Sequence, residues 1–151
     1  MRYSSLVRRK LGSLLKYLNE LEPLAQISLE EYEANYVQRH AMEKLIELVV
    51  EYAIEINRAI LEATGQLPPQ TYYNTFEEMR RLGVLPLGLT PRLASTTGLR
   101  NRLVHRYDEI DNPTVYHSLK PLLKNYRRYA GLIEDHLQPE TATNEKRKRK
   151  K

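Results

Sequence analysis

Residues 4–21 read SSLVRRKLGSLLKYLNEL, and their apolar side chains recur at the spacing of an amphipathic α-helix. The leucines that carry this period are Leu6, Leu11, Leu14, Leu15, Leu18 and Leu21. Charged residues interrupt the segment, so it predicts neither a signal peptide nor a membrane span. We expect this first helix to end before Pro23, because a proline ring is poorly tolerated in a helix interior.

A long second helix is predicted to begin at a capping box formed by Ser28 and Glu31 and to stop at Gly65. Its apolar positions are Tyr36, Leu45, Val49, Tyr52, Ile56 and Ile60. The segment is longer than most globular helices, so we expect a break near residues 35–39. Residues 66–73 contain two prolines and predict a loop.

Three further helical segments follow this loop. The first is short and is expected to begin at residue 74 or 75 and to end at residue 82. Thr90 before Pro91, and Asn112 before Pro113, have the pattern of an N-cap followed by proline at the first helical position. These two helices are expected to reach residues 107 and 137, with a kink at Pro121 in the second of them.

The predicted fold class is therefore all-α, a bundle of four to five helices in one domain over residues 1–138. With 151 residues, of which 41% are hydrophobic, the chain is long enough to bury a core without disulfides or a structural metal. It contains no cysteine, which excludes disulfides, thiol catalysis and cysteine-bound zinc. The absence of cysteine also fits a reducing cytoplasm, and we expect a cytoplasmic protein.

The net charge of +5 is concentrated at one end of the chain. Residues 146–151 carry six positive charges, and without them 18 basic residues face 19 acidic ones. We therefore predict a disordered basic tail over residues 139–151, which is either a solvated end or a loose contact for a polyanion. The charge of the body does not by itself indicate nucleic-acid binding.

The chemistry is expected in residues 100–107, RNRLVHRY. On an ideal helix Arg100 lies inside the apolar stripe, and His105 lies about 140° away around the axis. A buried guanidinium must meet an acidic residue, extend along its stem to solvent, or line a cleft that receives an anion. His105 is either an ordinary surface or core histidine or an acid–base group, and Asn101 either orients it or is a polar surface residue.

This run resembles the R-x4-H-x-Y motif of the HepT toxins, a branch of the HEPN superfamily. Asn101, the polar residue after the arginine, is also of the family type. Residues 39–45, RHAMEKL, are similar to the opening of the family's second helix. The resemblance extends over roughly residues 1–137 and leaves out the basic tail.

The resemblance implies a HEPN-like helical domain that forms a symmetric homodimer, with two Arg/His motifs facing one RNA-binding cleft. In such a site His105 transfers protons during cleavage of RNA and Arg100 holds the phosphate. Arg102 and Arg106 are placed away from that site by the helix geometry and contact RNA backbone, solvent or a partner. No metal or other cofactor is expected, because the ribose 2'-hydroxyl is an internal nucleophile. The four histidines that could bind a metal are scattered along the chain: His40, His105, His117 and His136.

The resemblance also implies regulation by a partner. Tyr107 is the hydroxyl to which a cognate MNT-domain nucleotidyltransferase antitoxin transfers AMP, as in a type VII toxin–antitoxin system. The other reading of Tyr107 is a buried ring with a satisfied hydroxyl. Two alternatives to a nuclease stay open: a noncatalytic helical module that binds a nucleotide or a partner, and a structural dimer with an accidental motif. An Arg100 paired with Glu or Asp in its own chain favours the last.

Overall fold

The computed structural model describes residues 2–138, where the chain forms six α-helices, a 3-10 turn and no strand. The helices are α1 (Arg2–Leu24), α2 (Leu29–Ala34), α3 (Tyr36–Ala63), α4 (Tyr72–Arg81), α5 (Thr90–His105) and α6 (Asn112–Leu137), and the 3-10 turn is Tyr107–Glu109. The all-α prediction is confirmed, but four to five helices is too low a count because the second predicted helix divides into α2 and α3. The predicted tail at 139–151 lies outside the described residues.

The division between α2 and α3 falls at Asn35, within the expected interval. The backbone of Asn35 is extended, with φ −99° and ψ 90°, and its side-chain oxygen accepts the N–H of Gln38 at 3.0 Å. Asn35 therefore ends one helix and caps the next. Ser28 caps α2 as predicted, because its hydroxyl accepts the N–H of Glu31 at 3.1 Å.

The predicted end of α1 and the predicted start of α4 are wrong. Helix α1 continues through Pro23 to Leu24, and the N–H of Ala25 still bonds to the carbonyl of Leu21 at 3.0 Å. A proline in the last turn therefore does not stop the helix at that point. Helix α4 begins at Tyr72, earlier than expected, because the Thr71 hydroxyl accepts the N–H of Asn74 at 3.1 Å and supplies the N-cap.

The N-caps of α5 and α6 each lie one residue before the predicted position. Leu89 is the N-cap of α5, and the hydroxyl of Thr90 donates instead to the Pro86 carbonyl at 2.8 Å. At α6 the Asp111 carboxylate accepts the N–H of Thr114 at 3.3 Å, so Asn112 is already helical. Helix α6 runs through Pro121 as one element.

The core forms where α1 packs along α3 and α6 packs against α1, and the side chain of Tyr129 extends from α6 to α3. Four of the six periodic leucines of α1 are buried, namely Leu11, Leu14, Leu18 and Leu21, and the other two are half-buried. Val49, Ile56 and Ile60 of α3 are fully buried, whereas Tyr36 is 65% exposed and does not belong to the core. Within residues 2–138, no helix is sufficiently long and apolar to span a membrane.

A buried polar network fixes α4 against the rest of the bundle. Asn57 of α3 donates to the Thr75 hydroxyl of α4 at 3.2 Å and accepts the Tyr129 hydroxyl of α6 at 2.6 Å. Tyr129 also donates to the Ala53 carbonyl at 3.1 Å. All of these side chains are buried, so their mutual bonds satisfy groups that water cannot reach. This network positions the N-terminal turn of α4, which contributes Tyr72 to the groove described next.

Candidate functional site

A groove of about 870 Å³ lies between the start of α4 and the C-terminal half of α5. Its lining residues are Gln70, Thr71, Tyr72, Gly98, Arg100, Asn101, Arg102, His105 and Arg106. The groove thus brings together in one chain the arginine and the histidine that helix geometry placed about 140° apart. It offers an imidazole for proton transfer and three guanidinium groups for an anion.

Arg100 is held in the wall of this groove. Its Nε and Nη2 both donate to Oε1 of Glu51 on α3, at 3.2 and 2.8 Å, and its Nη1 donates to the Asn101 side chain at 3.2 Å. The side chain is 13% exposed. A guanidinium has five N–H groups, so these contacts leave one hydrogen on each terminal nitrogen for a ligand. Of the three possibilities for a buried Arg100, the structure shows an acidic partner in the same chain, Glu51, and also a position in the groove. The pairing with Glu51 is the contact expected of a structural arginine with an accidental motif, whereas the groove is expected of an anion site.

The ring of Tyr72 provides a second support for Arg100. The guanidinium carbon lies 5.3 Å from the ring centroid, and the guanidinium carbon of Arg58 lies 5.4 Å from the same centroid. Both distances are within the range of cation–π attraction. Arg100 is therefore positioned by a carboxylate from α3 and by an aromatic ring from α4.

His105 is the last residue of α5, and its side chain is exposed. Its imidazole has no hydrogen bond to another residue of the range 2–138, whereas the side-chain oxygen of Asn101 accepts from Arg100. In the single chain Asn101 thus contacts the arginine of the motif and does not orient the histidine. The imidazole is free to meet a ligand in the groove.

Arg102 and Arg106 line the same groove, which corrects the expectation that they lie away from it. Both side chains are exposed. Helix α5 ends at His105, and Arg106 leaves helical geometry with φ −133° and ψ 47°, so an ideal helix does not describe the positions that follow. Arg102 also lines a second, largely apolar groove between α5 and α6, and no histidine or acidic residue borders that second groove.

Tyr107 lies outside the helix, in the 3-10 turn, and not on the apolar stripe where an ideal helix placed it. Its side chain is 48% exposed. Its hydroxyl lies 2.5 Å from Nδ1 of His40 and donates to Oε1 of Glu43 at 3.3 Å. Burial of the phenol and the nearby Glu43 carboxylate raise the pKa of Tyr107, an effect that Arg39 partly offsets.

Glu43 is the buried centre of this second cluster. It is 5% exposed, its Oε1 lies 3.2 Å from His40 Nδ1 and 3.8 Å from Arg39 Nε, and its Oε2 has no hydrogen-bond partner within the described range. The hydroxyl of Tyr32 is likewise buried without a partner, and its pKa is raised by burial and by Glu43. A buried carboxylate oxygen without a hydrogen-bond partner lowers the stability of the fold.

Sequence reasoning did not identify Glu51, Tyr72 or the role of Glu43. Glu51 is 49 residues from Arg100 and Tyr107 is 64 residues from Glu43, so no local period connects either pair. The sequence did contain one signal for the Glu43 cluster: His40 and Glu43 are three residues apart, which puts them on one face of α3. Across residues 2–138, no three His, Asp or Glu side chains gather in a way that would hold a metal ion.

Solved structures define the class of fold. A tri-AMPylated HEPN toxin of Shewanella oneidensis, solved in complex with an MNT antitoxin, superimposes with a TM-score of 0.78 at 17% identity, over 85% of this chain and 96% of that chain. The cytosolic protein YutE of Bacillus subtilis, whose function is unknown, superimposes with a TM-score of 0.77 at 16% identity, over 88% and 89% of the two chains. The bundle therefore has the HEPN fold.

Sequence comparison defines the family. Residues 14–133 match the ribonuclease HepT-like family. The tRNA nuclease HepT of Aphanizomenon flos-aquae is 32% identical over 132 residues, which cover 87% of this chain and 90% of that protein. This chain belongs to the ribonuclease HepT-like family.

Proposed function

We propose that this chain is the toxin of a toxin–antitoxin pair and that it cleaves RNA in the groove between α4 and α5. Membership in the ribonuclease HepT-like family indicates a ribonuclease. The observation that carries the site is the presence of Arg100 and His105 on one groove, with Arg102 and Arg106 beside them. These side chains supply a proton-transfer group and a cationic lining for a phosphodiester.

The proposed reaction is transfer of the phosphodiester to the neighbouring 2'-hydroxyl. The 2'-oxygen attacks phosphorus while the bond to the 5'-oxygen breaks, and the products are a 2',3'-cyclic phosphate and a 5'-hydroxyl. His105 takes the proton of the 2'-hydroxyl or gives one to the leaving oxygen. Arg100 uses its two remaining N–H hydrogens to stabilise the charge that builds on the phosphate oxygens. This chemistry needs no metal ion.

Glu51 gives Arg100 a fixed direction in this mechanism. An unsupported arginine has to lose rotamer freedom when the phosphate arrives, whereas one held by a carboxylate and a ring has already lost it. Asn101 belongs to the same unit, because it bonds to Nη1 of Arg100. We assign Asn101 the role of orienting the arginine in the single chain.

We further propose a symmetric homodimer in which the two grooves face one RNA. An isologous interface brings two copies of a motif to one axis. Mixing Arg100→Ala chains with His105→Ala chains tests whether the site is shared. If each site takes residues from both chains, mixed dimers regain part of the activity that both parents lack. If each chain acts alone, the mixture stays as inactive as its components.

Neutralisation is proposed to occur at Tyr107, by transfer of AMP from an MNT-domain nucleotidyltransferase antitoxin. The phenol is 48% exposed and lies two residues from His105. An attached nucleotide brings bulk and negative charge beside the groove, and both oppose the entry of RNA. Tyr107→Phe is expected to cleave RNA and to escape neutralisation by the partner.

A noncatalytic module is the second candidate, because the Glu51 contact is also what a structural arginine or a simple anion clamp would show. A nuclease and an anion clamp respond differently to replacement of His105. Replacement by Asn or Gln preserves polar contacts but abolishes proton transfer at neutral pH, so a nuclease loses cleavage and a clamp keeps its affinity.

The proposal is tested by incubating transfer RNA with the purified chain in EDTA, since the Aphanizomenon relative is named a tRNA nuclease. Arg100→Ala and His105→Ala are each expected to slow cleavage by about 100-fold or more. His136→Gln is the matched control, an exposed histidine of α6 outside the groove, and keeps the parent rate. Equal cleavage by all four proteins would show a contaminating nuclease. Tight RNA binding without cleavage would support the clamp.

A further inference from the structure

The cluster around Tyr107 has the composition of a site that activates a hydroxyl group. The Tyr107 oxygen lies 2.5 Å from His40 Nδ1, and Oε1 of Glu43 lies 3.3 Å from the phenol and 3.2 Å from the same nitrogen. None of these three residues lines the groove of Arg100 and His105. The cluster therefore lies outside the proposed ribonuclease site.

We propose that His40 accepts the proton of the Tyr107 hydroxyl when that oxygen is nucleotidylated, and that Glu43 stabilises the imidazolium that results. The inference rests on the proposed function, in which Tyr107 is the acceptor of AMP. The toxin thereby supplies the general base for its own neutralisation. The partner supplies the nucleoside triphosphate and its binding site.

Transfer of AMP to Tyr107 is a substitution at the α-phosphorus of the nucleoside triphosphate. The Tyr107 oxygen attacks the α-phosphorus of a nucleoside triphosphate, and the bond from that phosphorus to the bridging oxygen breaks. Pyrophosphate leaves with the electron pair, and the phenolic proton moves to His40 Nδ1. For Nδ1 to accept, the neutral ring carries its hydrogen on Nε2; after transfer, the new Nδ1–H donates to Glu43 Oε1.

The surroundings of Tyr107 make a general base necessary, and they suit His40 for that role. Burial and Glu43 raise the pKa of Tyr107, so the phenol stays protonated at neutral pH and must lose its proton during the reaction. The charged groups near His40 are Glu43 and Arg39 on its own helix, with Tyr107 facing it from the 3-10 turn. Tyr32 of α2 lies buried beside Glu43 and contributes no charge while it is protonated.

Exposure permits the partner to reach these atoms. The His40 side chain is 49% exposed and Tyr107 as a residue is 48% exposed, whereas Glu43 is buried. The rings of Tyr36 and His40 lie 6.3 Å apart and those of His40 and Tyr107 lie 5.8 Å apart, which makes a short aromatic row on the surface. Both the phenol and its base are therefore on the surface that a triphosphate can approach.

The experiment measures the initial rate of labelling with α-³²P-ATP and a purified MNT nucleotidyltransferase partner, from pH 5.5 to 8.5. His40→Gln is expected to lower kcat by about 100-fold, with unchanged KM for ATP and for the toxin, and to remove the fall in rate at acid pH. His136→Gln is the matched control and labels at the parent rate. Glu43→Gln gives a smaller loss, because the base remains but its cation is less stable.

The outcomes separate this inference from the proposed function. If the parent chain is not labelled, or Tyr107→Phe is labelled equally, the proposed modification at Tyr107 fails. If the parent is labelled at Tyr107 and His40→Gln matches its rate and pH profile, only the role of His40 is overturned. A higher KM for the toxin with an unchanged kcat would also overturn the role of His40 as a base, because His40 would then serve in docking.

Discussion

Arg100 donates to a single oxygen of Glu51 through two nitrogens, at 3.2 and 2.8 Å, and so connects the motif helix α5 to the long helix α3. The carboxylate is 32% exposed and the guanidinium side chain 13% exposed. The pair contributes little to stability, because the cost of desolvating two partly buried charges offsets much of their attraction. Its importance is in fixing the direction of the guanidinium.

Glu51→Gln tests that role. The amide keeps one acceptor oxygen but loses the charge, so Arg100 is held less firmly, and we expect kcat for RNA cleavage to fall by about tenfold. RNA affinity is expected to stay the same or rise, because a negative charge beside the groove is removed. Single-turnover kinetics and a binding titration separate the two quantities.

Glu55→Gln is the control for this change. Glu55 lies one turn further along α3 and pairs with Lys10 of α1 at 3.1 Å, outside the groove. The Glu55→Gln substitution removes the same charge as Glu51→Gln and leaves the contacts of Arg100 unchanged. If both variants lose activity equally, the effect is a general one of charge and the positioning role of Glu51 is wrong.

Asn57→Ala is expected to lower the free energy of unfolding by about 2–3 kcal/mol, because it removes two buried hydrogen bonds and leaves a small cavity. Tyr129 keeps its bond to Ala53, so the bundle still folds. Urea unfolding measures the change. Asn19→Ala is the matched control, since Asn19 is exposed and bonds only to Arg127. Its effect should stay within about 0.5 kcal/mol, and an equal loss in both variants would argue against the buried network.

Arg102→Gln and Arg106→Gln are expected to weaken RNA binding and to reduce its salt dependence. For a single-stranded RNA, each phosphate contact contributes about 0.7 to the slope of log K against log salt concentration, so each variant should lower the slope by about that amount. Arg81→Gln provides the control, because Arg81 is at the far end of α4 from Tyr72 and pairs with Glu78. An unchanged slope in all three variants would mean that these arginines do not contact phosphate.

The buried tyrosines predict a loss of stability at high pH. Burial raises the pKa of Tyr126 and of Tyr129 above the ordinary value of 10.0. The folded state therefore favours the protonated phenols. Their contribution to stability is complete below about pH 10. It declines at higher pH, because the tyrosines of the unfolded chain ionise there while those of the folded chain stay protonated.

Tyr126→Phe isolates one of these groups. The variant loses the 2.6 Å bond to the Thr96 hydroxyl, which costs about 1 kcal/mol at neutral pH. Between pH 10 and 11 its unfolding free energy should fall less steeply than that of the parent, by up to about 1.4 kcal/mol per pH unit. Denaturant titrations at several pH values give both slopes. Identical slopes would show that Tyr126 ionises equally easily in the folded state.

The sequence was most informative where periodicity repeats over several turns. The leucines of α1 and the apolar positions of α3 anticipated the core, because a helix that buries one face must repeat the same residue types along it. Tyr36 was the exception: it follows the cap at Asn35 directly, in the first turn of α3, where its ring lies on the surface. The ends of the helices depended on single side chains such as Thr71 and Asp111, which a pattern of apolar residues does not register.

The site was anticipated only in part. Helix geometry left Arg100 three possibilities: an acidic partner, extension along its stem to solvent, or a cleft that receives an anion. Arg100 meets Glu51 and also lines the groove. The identity of Glu51 depends on how α3 packs against α5, which is a tertiary relationship. The error for Tyr107 came from extending an ideal helix past His105, where the backbone turns at Arg106 and brings the phenol to α3.

Cleavage of RNA by His105 and Arg100 is proposed to use the ribose 2'-hydroxyl as the nucleophile. It is tested by mapping one cleavage position and then incubating the purified chain, in EDTA, with an RNA that carries a single 2'-deoxy nucleotide immediately 5' of the scissile phosphate. We predict no cleavage of that RNA, and 2',3'-cyclic phosphate ends from the unmodified one. Cleavage of the 2'-deoxy linkage at the parent rate would contradict the account.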